Sequence, residues 1–271
     1  MVTTRKRFGA GRTFGLVLVA VAVLAALLSL VWTPYDPLHA DPAARLVGSS
    51  WQHWMGTDEL GRDILSRIMD GARLTLAVSL AAVAGSALVG VPLGVLAGMR
   101  GAAGRGGGVV MAGADLLLAF PALLLAIVFT AVFGASMWVV ILAVGIAGVP
   151  GFIRVARVGT MQVMHQDYVL AARISGVAGW RIALRHVLPN IAPIITVQLS
   201  VAFALAILAE AGLSFLGLGT PAPYASWGRM LQASQPFLAT SPHLALWPGL
   251  AIALTVLGFN LLGTGTERRA Q

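Results

Sequence analysis

Two carboxylates stand inside long apolar runs of this sequence, Asp115 within 109–133 and Glu210 within 191–216. An acidic side chain at hydrocarbon depth is costly, and it is retained for an ion pair, a solute path or a proton relay. Asp115 lies one to two turns inside one end of its run, where Arg154 or Arg157 of the following run supplies an ion-pair partner. Glu210 has two uses open to it: facing a translocation path, or hydrogen-bonding to a partner protein in the membrane. Neither belongs to a relay of acids and histidines, which argues against a proton-coupled mechanism.

Groups for covalent or hydrolytic chemistry are missing. Lys6 is the only lysine, so no P-loop lysine exists to hold a nucleotide phosphate. There is no G-x-S-x-G elbow and no H-E-x-x-H pair, and His39, His53, His165, His186 and His243 are scattered. The run Gly104-Arg105-Gly106-Gly107-Gly108 follows no strand and reads as a flexible loop rather than a dinucleotide fingerprint. With no cysteine, disulfides and thiolate nucleophiles are excluded. The expectation is a chain that is not an enzyme and has no cofactor or metal of its own.

The stretch with a positive signal is polar and spans 157–190. Asp167 is placed to cap a short helix carrying Tyr168, Ala171, Ala172 and Arg173, and Gly176 is placed to end it. After Trp180 comes Leu188-Pro189, where Pro189 is expected to block the helix and reset the chain for the next run. A short, smooth helix projecting from a membrane on its arginine-rich side suits insertion into a groove of a cytosolic partner.

The elements that must position these residues are membrane spans. Of 271 residues, 58% are hydrophobic and only 10% charged, with a mean hydropathy of +0.87. A soluble domain carries about 25% charged residues, so no ordinary water-facing surface can be built. Six apolar runs stand at 14–32, 74–98, 109–133, 136–156, 191–216 and 245–263, each long enough to cross about 30 Å of hydrocarbon as a helix. The third and fourth, separated by Gly134-Ala135, form a tight hairpin; five spans result if that hairpin is re-entrant. The first run follows Arg5-Lys6-Arg7 but ends in Leu30-Val31-Trp32-Thr33-Pro34 with no small-residue cleavage site, so it reads as a retained anchor.

With the N-terminus inside, 13 of the 18 lysines and arginines fall on inner segments, as the positive-inside rule requires. Trp32, Tyr35, Trp138 and Trp247 then stand at the outer boundary. This placement accounts for the net charge of +8 without nucleic acid as a partner. The expected organisation is an inner N-terminus 1–13, an anchor 14–32 and an outer segment 33–73. A core 74–263 containing the inner loop 157–190 and an inner tail 264–271 follow, in an N-in/C-in arrangement. Within 33–73, Leu60, Ile64, Leu65, Ile68 and Met69 predict an amphipathic helix on the outer surface, with Thr57 as N-cap and Asp63–Arg67 as an i,i+4 pair. Pro92 and Pro121 are candidate kinks, and Gly90, Gly94 and Gly98 form a small-residue stripe for close helix packing.

The 168–189 segment resembles the "EAA" coupling loop of ABC importer permeases, in which two alanines, a glycine and a distant Leu-Pro recur at this spacing. Met55-Gly56-Thr57-Asp58-Glu59-Leu60-Gly61-Arg62-Asp63 resembles the signature after the first span in dipeptide, oligopeptide and nickel permeases. Leu213-Ser214-Phe215-Leu216-Gly217-Leu218-Gly219 with Ser226-Trp227-Gly228, and Pro248-Gly249-Leu250-Ala251-Ile252 with Phe259-Asn260-Leu261-Leu262-Gly263, resemble two later segments of that family. The resemblance covers most of 34–263 and points to the "C" member of the permease pair. It implies an all-α integral membrane fold of type I ABC importers in a bacterial plasma membrane. It also implies a second permease, two cytosolic ATPase subunits that bind ATP and Mg, and an extracytoplasmic substrate-binding protein. Dipeptides and oligopeptides are the expected cargo, with nickel or another small solute as the alternative. A secondary transporter is the rival from another class, but no internal repeat supports it.

Overall fold

The computed structural model describes residues 7–100 and 105–267. Helix α1 (Arg7–Leu28) leads through an irregular segment to α2 (Ile64–Met99), then α3 (Arg105–Ala119), α4 (Ala122–Phe133) and α5 (Met137–Met164). Two short helices follow, α6 (Asp167–Ile174) and α7 (Gly179–Ile182). A π-helical turn (Ala183–Val187) joins α7 to α8 (Leu188–Phe215), and α9 (Trp227–Ser234) and α10 (His243–Glu267) complete the chain. Among the described residues, five helices are long and apolar enough to cross a membrane, and six crossings result if the bent pair α3–α4 makes one.

Helix α2 is the spine. Its 36 residues make a rod of about 54 Å at 1.5 Å per residue, longer than a hydrocarbon core needs. The stripe Gly90, Gly94 and Gly98 packs within this chain, against α5. A Cβ on Gly94 would stand 2.5 Å from the Ile153 carbonyl and 2.7 Å from the Ala156 Cβ. One on Gly90 would meet Phe152 Cβ at 2.6 Å. The backbones approach because nothing larger than hydrogen lies between them, which is how apolar helices associate without a hydrophobic driving force.

Two sequence expectations are corrected here. The amphipathic helix starting at Thr57 is not a separate element. Residues 57–63 form a turn closed by a Thr57–Asp63 bridge, and Asp63 caps α2 directly by accepting from Ser66 N. Gly61 at φ +78° lies against the Asp41 carbonyl, a conformation that breaks a helix there. The Asp63–Arg67 side-chain pair is also absent, because Asp63 is taken by His53 at 3.0 Å and by Ser66. Arg67 turns instead to Asp58 (3.4 Å) and the Pro37 carbonyl (3.2 Å).

The run 109–133 is not one straight span. It breaks at Phe120-Pro121 into α3 and α4, bent by 81°. Pro121 lacks an N–H and disfavours helix at the residue before it, so the ladder stops there and α4 begins anew. Gly134 at φ +80° then ends α4, and Ser136 caps α5 by accepting from Val139 N. Pro92, by contrast, lies inside a continuous α2.

Candidate functional site: the α6 segment and the buried polar junction

The segment between α5 and α8 is built on one buried side chain. Val169 is fully buried and joins Val163, Met164, Ile182, Val187 and Ile191 in a core cluster that also takes Val95 of α2. The rest of α6 faces outward: Tyr168 is 46% exposed, Leu170 42% and Ile174 89%. Ala171 and Arg173 are exposed and Ala172 is half-buried. Ile174 stands almost bare at the tip of this short helix.

Local chemistry holds α6 in place. Gln166 is the N-cap residue and makes no side-chain cap bond, so Asp167 is the first helical residue rather than the cap. Its carboxylate lies where the helix dipole favours negative charge. At the other end Gly176 adopts φ +74°, with Gly176 N donating to Arg173 O and Val177 N to Ala172 O, both at 3.0 Å. This paired arrangement is a Schellman cap, which requires a left-handed residue and therefore favours glycine. Arg173 reaches back, its Nη2 donating to the Met99 carbonyl at the end of α2 at 3.4 Å. The cation thus meets the negative end of the spine helix and ties α6 to it. Tyr168 packs against His186, ring centroids 5.8 Å apart, and Arg181 lies over the Trp180 ring at 5.2 Å.

Pro189 does not stop the chain, which corrects the sequence expectation. Helix runs without interruption from Gly179 to Phe215. The π turn over Ala183–Val187 absorbs the ladder bond that Pro189 cannot donate, and Asn190 Nδ2 donates to the His186 carbonyl at 2.6 Å. Leu188 is half-buried beside the cluster under α6. α7, the π turn and α8 therefore form one continuous helix, and α6 lies outside it.

The two intramembrane carboxylates lie apart from this segment and from each other. Asp115 of α3 pairs with Arg154 of α5, Oδ1 to Nη2 at 2.7 Å, with both side chains more than half exposed. Glu210 is 1% exposed. Thr75 Oγ1 of α2 donates to Glu210 Oε2 at 3.0 Å, and Ser214 Oγ donates to Oε1 at 2.7 Å. Trp227 N, at the start of α9, donates to Thr75 Oγ1 at 3.4 Å, so this junction fastens α2, α8 and α9 together. Neither Val169 as the seat of α6 nor the Met99 carbonyl as partner to Arg173 was legible in the sequence, because each depends on a residue of α2, 74 positions away. Among the described residues no group of three or more His, Cys, Asp or Glu is placed to hold a metal.

Residues 90–268 match the family described as "Binding-protein-dependent transport system inner membrane component". The chain belongs to this permease family. The permease is 41% identical over 253 residues to the dipeptide transport system permease protein DppC of Alkalihalophilus pseudofirmus, covering 93% of this chain and 82% of that protein. It is 42% identical over 254 residues to the glutathione transport system permease protein GsiD of Pectobacterium atrosepticum, with the same coverage. Among solved structures, a chain of the MetNI methionine ABC transporter in inward-facing conformations superposes with a TM-score of 0.62 at 15% identity. That match covers 74% of this permease and 94% of that chain. The permease is thus an all-α, multi-pass membrane protein with the fold of a type I ABC importer permease.

Proposed function

We propose that the chain is the permease subunit of an ATP-driven importer of dipeptides and oligopeptides, and that α6 is the helix through which cytosolic ATPase subunits drive it. The observation that carries this reading is the exposed, Schellman-capped α6, seated on the spine helix by Val169 and Arg173 with Ile174 presented outward. The identity to a dipeptide permease supports the cargo. A second, related permease completes the path, and an extracytoplasmic binding protein delivers the solute. ATP and Mg belong to the ATPase subunits, in keeping with the single lysine and the missing phosphate loop here. The arginine bias supports an N-in/C-in arrangement in a bacterial plasma membrane, with α6 on the cytosolic side.

In this mechanism ATP closes the ATPase pair and the closure displaces α6. The continuous helix Gly179–Phe215 carries that displacement through the bilayer to the Glu210 junction, which also holds α2 and α9. The path then opens outward, and ATP hydrolysis returns it. The test is affinity capture of the tagged chain from native membranes in mild detergent, followed by reconstitution. Recovery of a second permease, Walker-motif ATPases and a binding protein, with ATP-dependent peptide uptake, is the expected result. Solute flux independent of ATP by the chain alone would overturn it.

A further inference from the structure

The break at Phe120-Pro121 draws α3 and α4 away from the core and leaves a cavity of about 370 Å³ between them and α2, α5 and α8. It lies near the middle of the spans: Ser86 is 13 residues, about 20 Å, up α2 from Met99, and Gln198 is about 15 Å along α8 from Leu188. The walls are small or apolar, among them Gly148, Gly151, Ala202 and Ala206, and no charged side chain lines them. Ser86 Oγ is engaged with the Gly145 carbonyl at 2.6 Å. The Gln198 amide makes no hydrogen bond to any described residue. A Cβ on Gly151 would stand 3.0 Å from Gln198 Nε2, so glycine there gives the amide its room. An unpaired primary amide at this depth is costly against lipid and is kept where a polar solute or water meets it.

About one turn from Leu118 and from Gly151, on the side of the cavity nearer α6, stand Asp115 and Arg154. Each side chain is more than half exposed, and the two form an ion pair at 2.7 Å about one turn beyond the lining of this neutral chamber. The geometry points to a transit site for a short zwitterionic peptide, in which Gln198 pairs with a backbone amide while Arg154 and Asp115 receive the terminal carboxylate and ammonium. Charge complementarity selects this occupant: a neutral lining accepts varied peptide side chains, and the paired charges match the two termini that every free peptide carries. The inference rests on the importer reading above and assigns its path within this subunit.

The test uses the reconstituted transporter with all its subunits and labelled trialanine as solute. Gln198→Leu is expected to lower peptide uptake per ATP hydrolysed by about tenfold, the loss of roughly one hydrogen bond, with binding-protein-stimulated ATP hydrolysis and subunit assembly retained. Exchanging the charges, Asp115→Arg with Arg154→Asp, preserves an ion pair and hence any purely structural role, yet is expected to reduce uptake. Because the chain has no cysteine, Gln198→Cys supplies a unique thiol. It is expected to be labelled during turnover by a tripeptide with a bromoacetyl group on its central side chain, and protected by excess trialanine, whereas Gly113→Cys is not. Unchanged uptake in Gln198→Leu and in the charge exchange, or labelling that trialanine does not prevent, overturns the site while wild-type uptake leaves the importer reading standing. Dissociation of the two permeases on Gln198→Leu substitution overturns it in favour of a subunit contact. Failure of the wild-type assembly to take up any peptide overturns both.

Discussion

Substitution of Gly176 isolates the cost of misplacing α6 from every other effect. The residue sits at φ +74°, and a Cβ added there would meet no atom within 4 Å. The only penalty for a side chain is therefore the left-handed backbone, about 1–2 kcal/mol for an ordinary residue and more for a β-branched one. An energy of that size changes a local equilibrium by about 5–30-fold. What is lost is the capped geometry, since unwinding Gly176 breaks the 3.0 Å bonds to the Arg173 and Ala172 carbonyls and frees the end of α6. Gly176→Val is expected to reduce ATP hydrolysis stimulated by the loaded binding protein by about that 5–30-fold factor, with membrane insertion unchanged. Gly176→Asn, whose short polar side chain tolerates the left-handed region, is expected to retain most of the activity. Equal activity of Gly176→Val and wild type, or an equal fall for Asn and Val, would refute the argument that this cap positions the coupling helix.

Three further outcomes follow from the packing. Val169→Asp places a carboxylate in a fully closed cluster, at a cost above about 3 kcal/mol, so α6 undocks and trypsin cleavage at Arg173 and Arg181 accelerates in detergent. Gly94→Ala forces the new Cβ to within 2.5 Å of the Ile153 carbonyl, and overpacking of about 1–3 kcal/mol lowers the melting temperature, whereas Gly113→Ala, in open space, does not. Glu210→Leu leaves the hydroxyls of Thr75 and Ser214 without their acceptor, at about 1–3 kcal/mol each, and Glu210→Gln recovers part of that loss in the same melting experiment.

Much of this protein is written in its one-dimensional pattern, and the reason is the solvent. A bilayer forces the backbone to satisfy its hydrogen bonds within each segment, so long uncharged runs must be helices and their count follows from length. Gly176 as the end of α6 was legible because a left-handed cap has a local residue preference. The family was legible from four short segments in order. The glycines of α2 announced a close contact, although not that α5 supplies it.

Tertiary structure decided what depends on partners remote in sequence. Gly61, positioned under the Asp41 carbonyl, cancels the outer helix that the apolar spacing favoured, and Asp63 becomes the cap of α2 instead. Pro121 breaks its span while Pro92 and Pro189 do not, because a proline's missing bond can be absorbed by neighbouring packing or by a π turn. The carboxylates illustrate the same division. Sequence placed Asp115 and Glu210 at membrane depth and offered Arg154 or Arg157 to Asp115, but only the folded chain selects Arg154 there and brings Thr75 and Ser214 to Glu210. Local pattern sets which residues enter the membrane. Which of them meet is set by helix packing, which joins residues as remote in sequence as Ile68 and Trp227, 159 positions apart, in the Trp227 Nε1–Ile68 carbonyl bond.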